Sequence, residues 1–273
     1  MYEEFIKDKN EAKIHFCEWK PEKPAAVLCL VHGIGEYAAR YDHVGAYLKN
    51  RNIALIGFDL RGHGLTTGKR GHAAPRDLIL DDIDDLIRVA ADNFDGLPLY
   101  LYGHSMGGNI VLDYREKGRL RNSVKGYVVT APWLILVKKI PSAMIAAVTA
   151  IAAIKPDLII DTGLQAVNIS TVKAEVEKYL HDPLIHHKIS VRTAIDGIRA
   201  ADRLLNSPAS AGSPLLLMHG SQDRICSVEG SRRIRDKEDG NCTFVEWEGL
   251  YHEIHNERNG SQVLDAIADW IRK

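Results

Sequence analysis

Short apolar runs alternate with stretches of helical periodicity through the first half of the chain. AKIHFCEW (12–19) predicts a strand, AAVLCLVHG (25–33) a buried strand halted by glycine, and the segment 37–52 a helix. IALIGFDLRGHG (53–64) reads as a strand running into a glycine-rich loop. Apolar residues at Leu78, Ile79, Ile83, Leu86, Ile87 and Ala90 then fit one face of a helix over 78–94. A strand at LPLYLYG (97–103), a helix over 106–117 and a strand at VKGYVVTAP (124–132) follow. Strands that alternate with helices and are themselves continuously apolar imply a mostly parallel sheet covered on both faces, an α/β architecture.

The rhythm breaks after Pro132. Between 133 and 207 the pattern predicts no strand and three helices, at 142–154, 171–181 and 190–206. It resumes with a strand at SPLLLMHG (213–220), a helix over 227–237, a strand at CTFVEWEG (242–249) and a closing helix over 261–273. A wholly helical segment between two strands of one sheet reads as an insertion. The expected organisation is therefore a core of 1–132 and 208–273, with 133–207 as a helical cap.

Chemistry enters at GHSMGG (103–108), where a strand runs into a Gly-x-Ser-x-Gly and a helix begins at once. Small neighbours permit a sharp strand-to-helix turn that lifts the Ser105 hydroxyl above the sheet edge and points a helix N-terminus at any nearby anion. The bland alternative is a helix-capping serine. A serine hydroxyl is a weak nucleophile near neutral pH, so it needs a histidine within reach and an acid to orient that histidine. Asp223 follows the strand 213–220 and His252 follows the strand 242–249, both on loops at strand ends. Asp59 and Asp182 compete for the acid role, with Asp59 the better placed to bond its own loop. Developing negative charge needs two backbone donors, for which the amides of Ile34 and Met106 are the natural choice.

Composition narrows the alternatives. With 45% apolar residues and a net charge of −1 over 273 residues, the chain is globular and offers no basic stripe for nucleic acid. The cysteines Cys17, Cys29, Cys226 and Cys242 form no Cys-x-x-Cys, so reduced thiols and a cytoplasmic setting are expected. The N-terminal stretch lacks the apolar run of an ordinary secretory signal. His252 and His255 are one residue short of the spacing of a zinc-binding helix, and GLTTGKR (64–70) is one residue short of a phosphate loop, so neither a metal nor another cofactor is expected. The apolar stretch 140–154 is too short to span a bilayer, but with Lys138, Lys139 and Lys155 at its ends it suits either an ordinary cap helix or transient contact with a membrane or micelle surface.

Six segments carry a resemblance: HGIGEYAARY (32–41), FDLRGHGLTTGKRGH (58–72), GHSMGG (103–108), EVEKYLHDPLI (175–185), HGSQDRICS (219–227) and EGLYHEIHNE (248–257). In this order, and spread over nearly the whole chain, they resemble the monoglyceride lipases of the α/β-hydrolase superfamily, a group also labelled serine-aminopeptidase-like or lysophospholipase-like. The resemblance implies an α/β-hydrolase fold with a helical cap inserted after the sixth strand. It implies Ser105 as nucleophile, His252 as general base and then acid, Asp223 as orienting acid, and Ile34 and Met106 as oxyanion amides. It further implies that Glu36 and Arg40 brace the oxyanion loop, that Tyr179 sits near the glycerol end of the pocket, and that Cys226 lies beside the site. The cap stretch LVKKIPSAMIAAVTAIAAIKPD shares only apolar character with the family.

The expected reaction is cleavage of a monoacylglycerol, a small lipid ester, to fatty acid and glycerol through an acyl-enzyme. Lysophospholipase, general carboxylesterase, serine aminopeptidase and non-enzymatic ligand receptor stay open as alternatives. Peripheral membrane association is the variant of the cytoplasmic setting that the cap stretch suggests.

Overall fold

The computed structural model describes residues 2–9, 12–73, 75–208, 212–238 and 240–273. In chain order the elements of the first half are β1 (Glu3–Lys9), β2 (Ala12–Trp19), β3 (Ala26–Val31), α1 (Asp42–Lys49), β4 (Ile53–Phe58), α2 (Arg76–Asn93), β5 (Leu99–His104), α3 (Met106–Lys117) and β6 (Val124–Thr130). Next come α4 (Ser142–Ile154), β7 (Ile159–Asp161), α5 (Lys173–His181), β8 (Lys188–Ser190) and α6 (Val191–Asn206). The chain closes with β9 (Leu215–Gly220), α7 (Val228–Lys237), β10 (Cys242–Trp247) and α8 (Gly260–Ile271).

Among the described residues, eight strands form one sheet in the order β1-β2-β4-β3-β5-β6-β9-β10. The six from β4 to β10 run parallel, while β1 and β2 form an antiparallel hairpin at one edge. Strand side chains alternate between two apolar layers. In β3, for example, Val27, Cys29 and Val31 pack with α2 and α3, whereas Leu28 and Leu30 pack with α1 and α8. Both layers are dry, which is why the parallel strands read as unbroken apolar runs.

Two expectations need correction, and one strand comes in addition to those read from the pattern. The polar segment that opens the chain is the edge strand β1, missed because only Phe5 packs, its ring stacked 5.1 Å from Phe16; charged residues on an edge strand deter pairing with other chains. The helix expected over 37–52 is a 3₁₀ turn at Ala38–Tyr41 followed by α1. There the Asp59 carboxylate takes the Ala38 N–H at 2.7 Å and holds the turn against the loop after β4. The inserted segment is not wholly helical either, since β7 and β8 pair as a short antiparallel ribbon. At three residues each, those strands are too brief to leave a period.

The insertion leaves the sheet after β6 and returns at β9. Its α6 lies on α3, with the Asn109 amide donating to the Gly197 carbonyl at 3.2 Å and Arg203 paired with Asp113. A second attachment runs through 182–190: Tyr37 donates to Asp182 at 2.6 Å, His186 N–H to the Gly35 carbonyl at 3.0 Å, and Ser190 N–H to the Gly71 carbonyl at 2.8 Å. The segment is thereby pinned beside the loop that carries Ile34.

Candidate active site

Ser105 occupies the turn between β5 and α3 with φ 55° and ψ −116°, a conformation non-glycine residues rarely adopt. Its neighbours explain why the strain is held. A Cβ on Gly107 would lie 2.0 Å from the Val31 carbonyl oxygen, and one on Gly103 would lie 2.4 Å from that of Gly107. Only glycines let the start of α3 press this closely on β3 and β5. Ser105 is further fixed through its backbone, its N–H donating to the Thr130 carbonyl at 3.0 Å and its carbonyl accepting from Trp133 at 2.9 Å.

The three side chains expected to meet do so. His252 Nε2 lies 2.9 Å from Ser105 Oγ, and His252 Nδ1 lies 2.7 Å from Asp223 Oδ2. With Nδ1 facing a carboxylate, the imidazole proton sits on Nδ1 and Nε2 accepts from the serine hydroxyl. Asp223 Oδ1 accepts the backbone N–H groups of Ile225 at 2.7 Å and Cys226 at 3.0 Å. The competing acids are engaged elsewhere: Asp59 takes Ala38 N–H and Leu65 N–H, and Asp182 takes Tyr37 Oη and Leu184 N–H.

Electrostatics separates the two titrating partners. Burial alone would raise the Asp223 carboxyl, but the charge of His252 and hydrogen bonds from His219 and His252 outweigh it and hold the group below the usual carboxylate range. For His252 burial disfavours the cation, yet the Asp223 charge and hydrogen bond prevail and raise its pKa above 6.5. Cys226 is buried beside them, and burial together with the Asp223 charge pushes its thiol well up, so it is a poor nucleophile.

Among the described residues, the amides of Ile34 and Met106 donate to no protein acceptor. Side-chain hydrogen bonds surround the loop that carries Ile34. Glu36 Oε1 accepts Gly33 N–H at 2.6 Å and the Tyr41 hydroxyl at 3.0 Å, and its Oε2 accepts from Arg40 at 2.9 Å. Arg40 also grips Glu253, the residue after His252. No sequence signal could have found that role, because its partner lies 213 positions away. Tyr179 of α5 lies with Arg40 5.1 Å from its ring centroid and lines the same small cavity as Gly33, Ile34, Ser105, Leu164, Ile169 and His252.

That cavity measures about 10 Å³, room for roughly one water. Glu36 and Glu253 also line it, and Arg40 bridges the two carboxylates. Among the described residues one group of three potential metal ligands, Glu4, His15 and Cys17, lies on the β1–β2 hairpin at the sheet edge. There His15 Nδ1 is bonded to Asp59 at 3.1 Å.

A strained serine at a β5–α3 turn, an acid after β9 and a histidine after β10 on a mostly parallel sheet define an α/β hydrolase. The chain belongs to the family described as serine aminopeptidase, S33, which it matches over residues 22–259. It is 30% identical to a monoacylglycerol lipase of Mycolicibacterium smegmatis over 95% of this chain and 92% of that protein. It is 32% identical to a phospholipase of Bacillus subtilis over 91% of this chain and 95% of that one. One curated relative is far longer, and this chain spans 27% of it. The crystal structure of a monoacylglycerol lipase from Paleococcus ferrophilus superposes with a TM-score of 0.86 at 30% identity, covering 94% of this chain and 98% of that one.

Proposed function

We propose that the chain hydrolyses monoacylglycerols to fatty acid and glycerol, with Ser105 as nucleophile, His252 as general base and then acid, and Asp223 holding the imidazole. The observation that carries this reading is the unbroken contact from Ser105 Oγ through His252 to Asp223, at 2.9 and 2.7 Å. Ser105 attacks the ester carbonyl as His252 Nε2 takes its proton. The carbonyl oxygen, now anionic, is received by the amides of Ile34 and Met106. His252 returns the proton to the departing glycerol oxygen, then activates the water that releases the fatty acid.

A cavity of about 10 Å³ holds no acyl chain, so its lining, to which the inserted segment contributes Leu164, Ile169 and Tyr179, has to open to admit substrate. The outer surface of the cap suits a lipid source. Met144, Ile151 and Ile154 of α4 are exposed, Ile154 at 87%, and they are accompanied by exposed Val137 and Ile140. With Lys138, Lys139 and Lys155 beside them, they form an apolar patch with a basic rim, suited to resting on a membrane or micelle. No helix among the described residues is long and apolar enough to cross a membrane.

Lysophospholipid is the second substrate reading, supported by likeness to the Bacillus subtilis phospholipase. A peptidase reading gains no support from the lining, where Glu36 and Glu253 are both hydrogen-bonded to Arg40. Hydrolysis of 1- and 2-monoacylglycerols of increasing chain length, beside di- and triacylglycerols, lysophosphatidylcholine, aminoacyl anilides and a p-nitrophenyl ester, separates these readings. Preferred turnover of monoacylglycerols is expected; turnover of the p-nitrophenyl ester alone would remove the substrate assignment.

A further inference from the structure

Asp223 Oδ2 is shared. Besides His252 Nδ1 at 2.7 Å, it lies 3.0 Å from Nε2 of a second histidine, His219, the penultimate residue of β9. His219 Nε2 is also 3.0 Å from the Cys226 carbonyl oxygen, while His219 Nδ1 lies 2.7 Å from the hydroxyl of Ser231 on α7. His219 and Ser231 are both fully buried. Because both neighbours of Nε2 are pure acceptors, Nε2 must carry a proton and donate it, whatever Nδ1 does. A flip of the imidazole would put Cε1–H in place of the Nε2 donor and lose all three hydrogen bonds.

We propose that His219, locked by Ser231, is a positioning residue of the triad: it donates a fixed hydrogen bond to the oxygen of Asp223 that also receives His252. The inference rests on the reading of Asp223 as the orienting acid. Its function is twofold. A carboxylate on a loop between a strand and a helix can rotate about χ2, and backbone N–H groups hold only Oδ1. His219 holds Oδ2 from the strand side, so the oxygen presented to His252 stays in place through the catalytic cycle. It also tempers the basicity of that oxygen, since a second donor withdraws charge that would otherwise stabilise protonated His252.

The other charged or titratable groups facing His252 are His104, with ring centroids 4.8 Å apart, and His255, whose ring stacks on Tyr41, together with Glu253 and Glu36. His104 is bonded to Thr130 and the two glutamates to Arg40, so none of them contacts Oδ2 of Asp223. His219 is the other side chain, besides His252, that donates to that oxygen among the described residues.

Two amide substitutions separate this role from simple packing. In His219→Asn the amide occupies the place of Nδ1, reaching Ser231 but not Asp223; in His219→Gln it occupies the place of Nε2 and can still donate to Asp223. For His219→Asn, kcat is expected to fall about tenfold with KM little changed, as reacting groups lose alignment. The acidic limb of its kcat/KM profile moves to higher pH, because Asp223 then gives its full charge to protonated His252. His219→Gln restores both the rate, within about threefold, and the position of the limb. Equal losses in the two variants with an unmoved limb would overturn the inference and leave a packing role. If His219→Asn fails to fold, His219→Leu provides the reading, since a side chain with no donor must move the limb in the same direction; an unmoved limb there is equally fatal. Ser105→Ala, run in parallel, tests the underlying assignment separately. An active Ser105→Ala would remove the triad reading itself, whereas an inactive one beside an unshifted limb would remove only the role of His219.

Discussion

Arg40 and Glu253 face each other fork to fork, with Nη1 to Oε1 at 2.8 Å and Nη2 to Oε2 at 2.9 Å, and the same Nη1 lies 2.9 Å from Glu36 Oε2. One guanidinium thus ties the loop bearing Ile34 to the loop bearing His252. The ion pair is almost wholly out of water, and its geometry is bidentate, which makes it specific to arginine.

Removing that guanidinium leaves two buried carboxylates without their cation. Arg40→Ala is expected to cost about 3 kcal/mol or more of folding stability, the range for breaking a buried pair by deleting one member. Arg40→Lys should recover less than half of this, because an ammonium cannot serve both carboxylates in one plane. Urea unfolding of the three proteins provides the comparison, and a loss below about 1 kcal/mol in Arg40→Ala would contradict the bracing role.

Ser105→Ala should fold normally and lose at least about a thousandfold in kcat on a monoacylglycerol, the scale seen when a nucleophile is deleted from a triad. Retention of more than a few per cent of activity is incompatible with the nucleophile assignment. The backbone adds a second outcome. Since Ser105 sits at φ 55°, Ser105→Gly should unfold at higher denaturant than Ser105→Ala, by about 1 kcal/mol, as glycine relieves the strain.

The rate should depend on pH with a definite sign. His252 acts as a base only when neutral, and its pKa in the folded protein is raised above 6.5 because Asp223 outweighs burial. Activity is therefore full above that raised value and lost as pH falls through it, so kcat/KM should show an acidic limb with an apparent pKa above 6.5. A limb well below 6.5 would mean that burial dominates and that the Asp223 contact is weaker than its 2.7 Å distance indicates.

The apolar patch on α4 gives a test that leaves chemistry untouched. Met144 and Ile154 are 56% and 87% exposed, so Met144→Asp with Ile154→Asp should cost little stability. Affinity for phospholipid vesicles should fall about tenfold or more, the effect of losing two inserted apolar side chains. Hydrolysis of a water-soluble p-nitrophenyl ester should be unaltered. Unchanged vesicle sedimentation would assign α4 to ordinary cap packing.

Period and punctuation sufficed for much of the architecture. The five parallel strands from β3 to β9 that flank the helical insertion are buried on both faces, so each appears as an apolar run closed by glycine or proline. The helices α6 and α7 begin where serines were available to cap them, with Ser190 accepting from Thr193 N–H and Ser227 from Glu229 N–H. Elements that answer to neighbours instead of solvent contrast were not legible. β1 owes its existence to pairing with β2, and β7 to pairing with β8.

By itself the sequence determined the alternation of strand and helix, the turn that carries Ser105, and the positions of Asp223 and His252 after strands, because each depends on local periodicity or a fixed motif. Only the tertiary structure decided that Glu253 completes the Arg40 bridge, that His219 shares Asp223 with His252, and that the inserted segment nearly seals Ser105. The physical reason is range. Hydrophobic period and turn chemistry act over a few residues, whereas a hydrogen bond between Arg40 and Glu253 joins positions 213 apart and exists only once the sheet has brought their loops to the same edge.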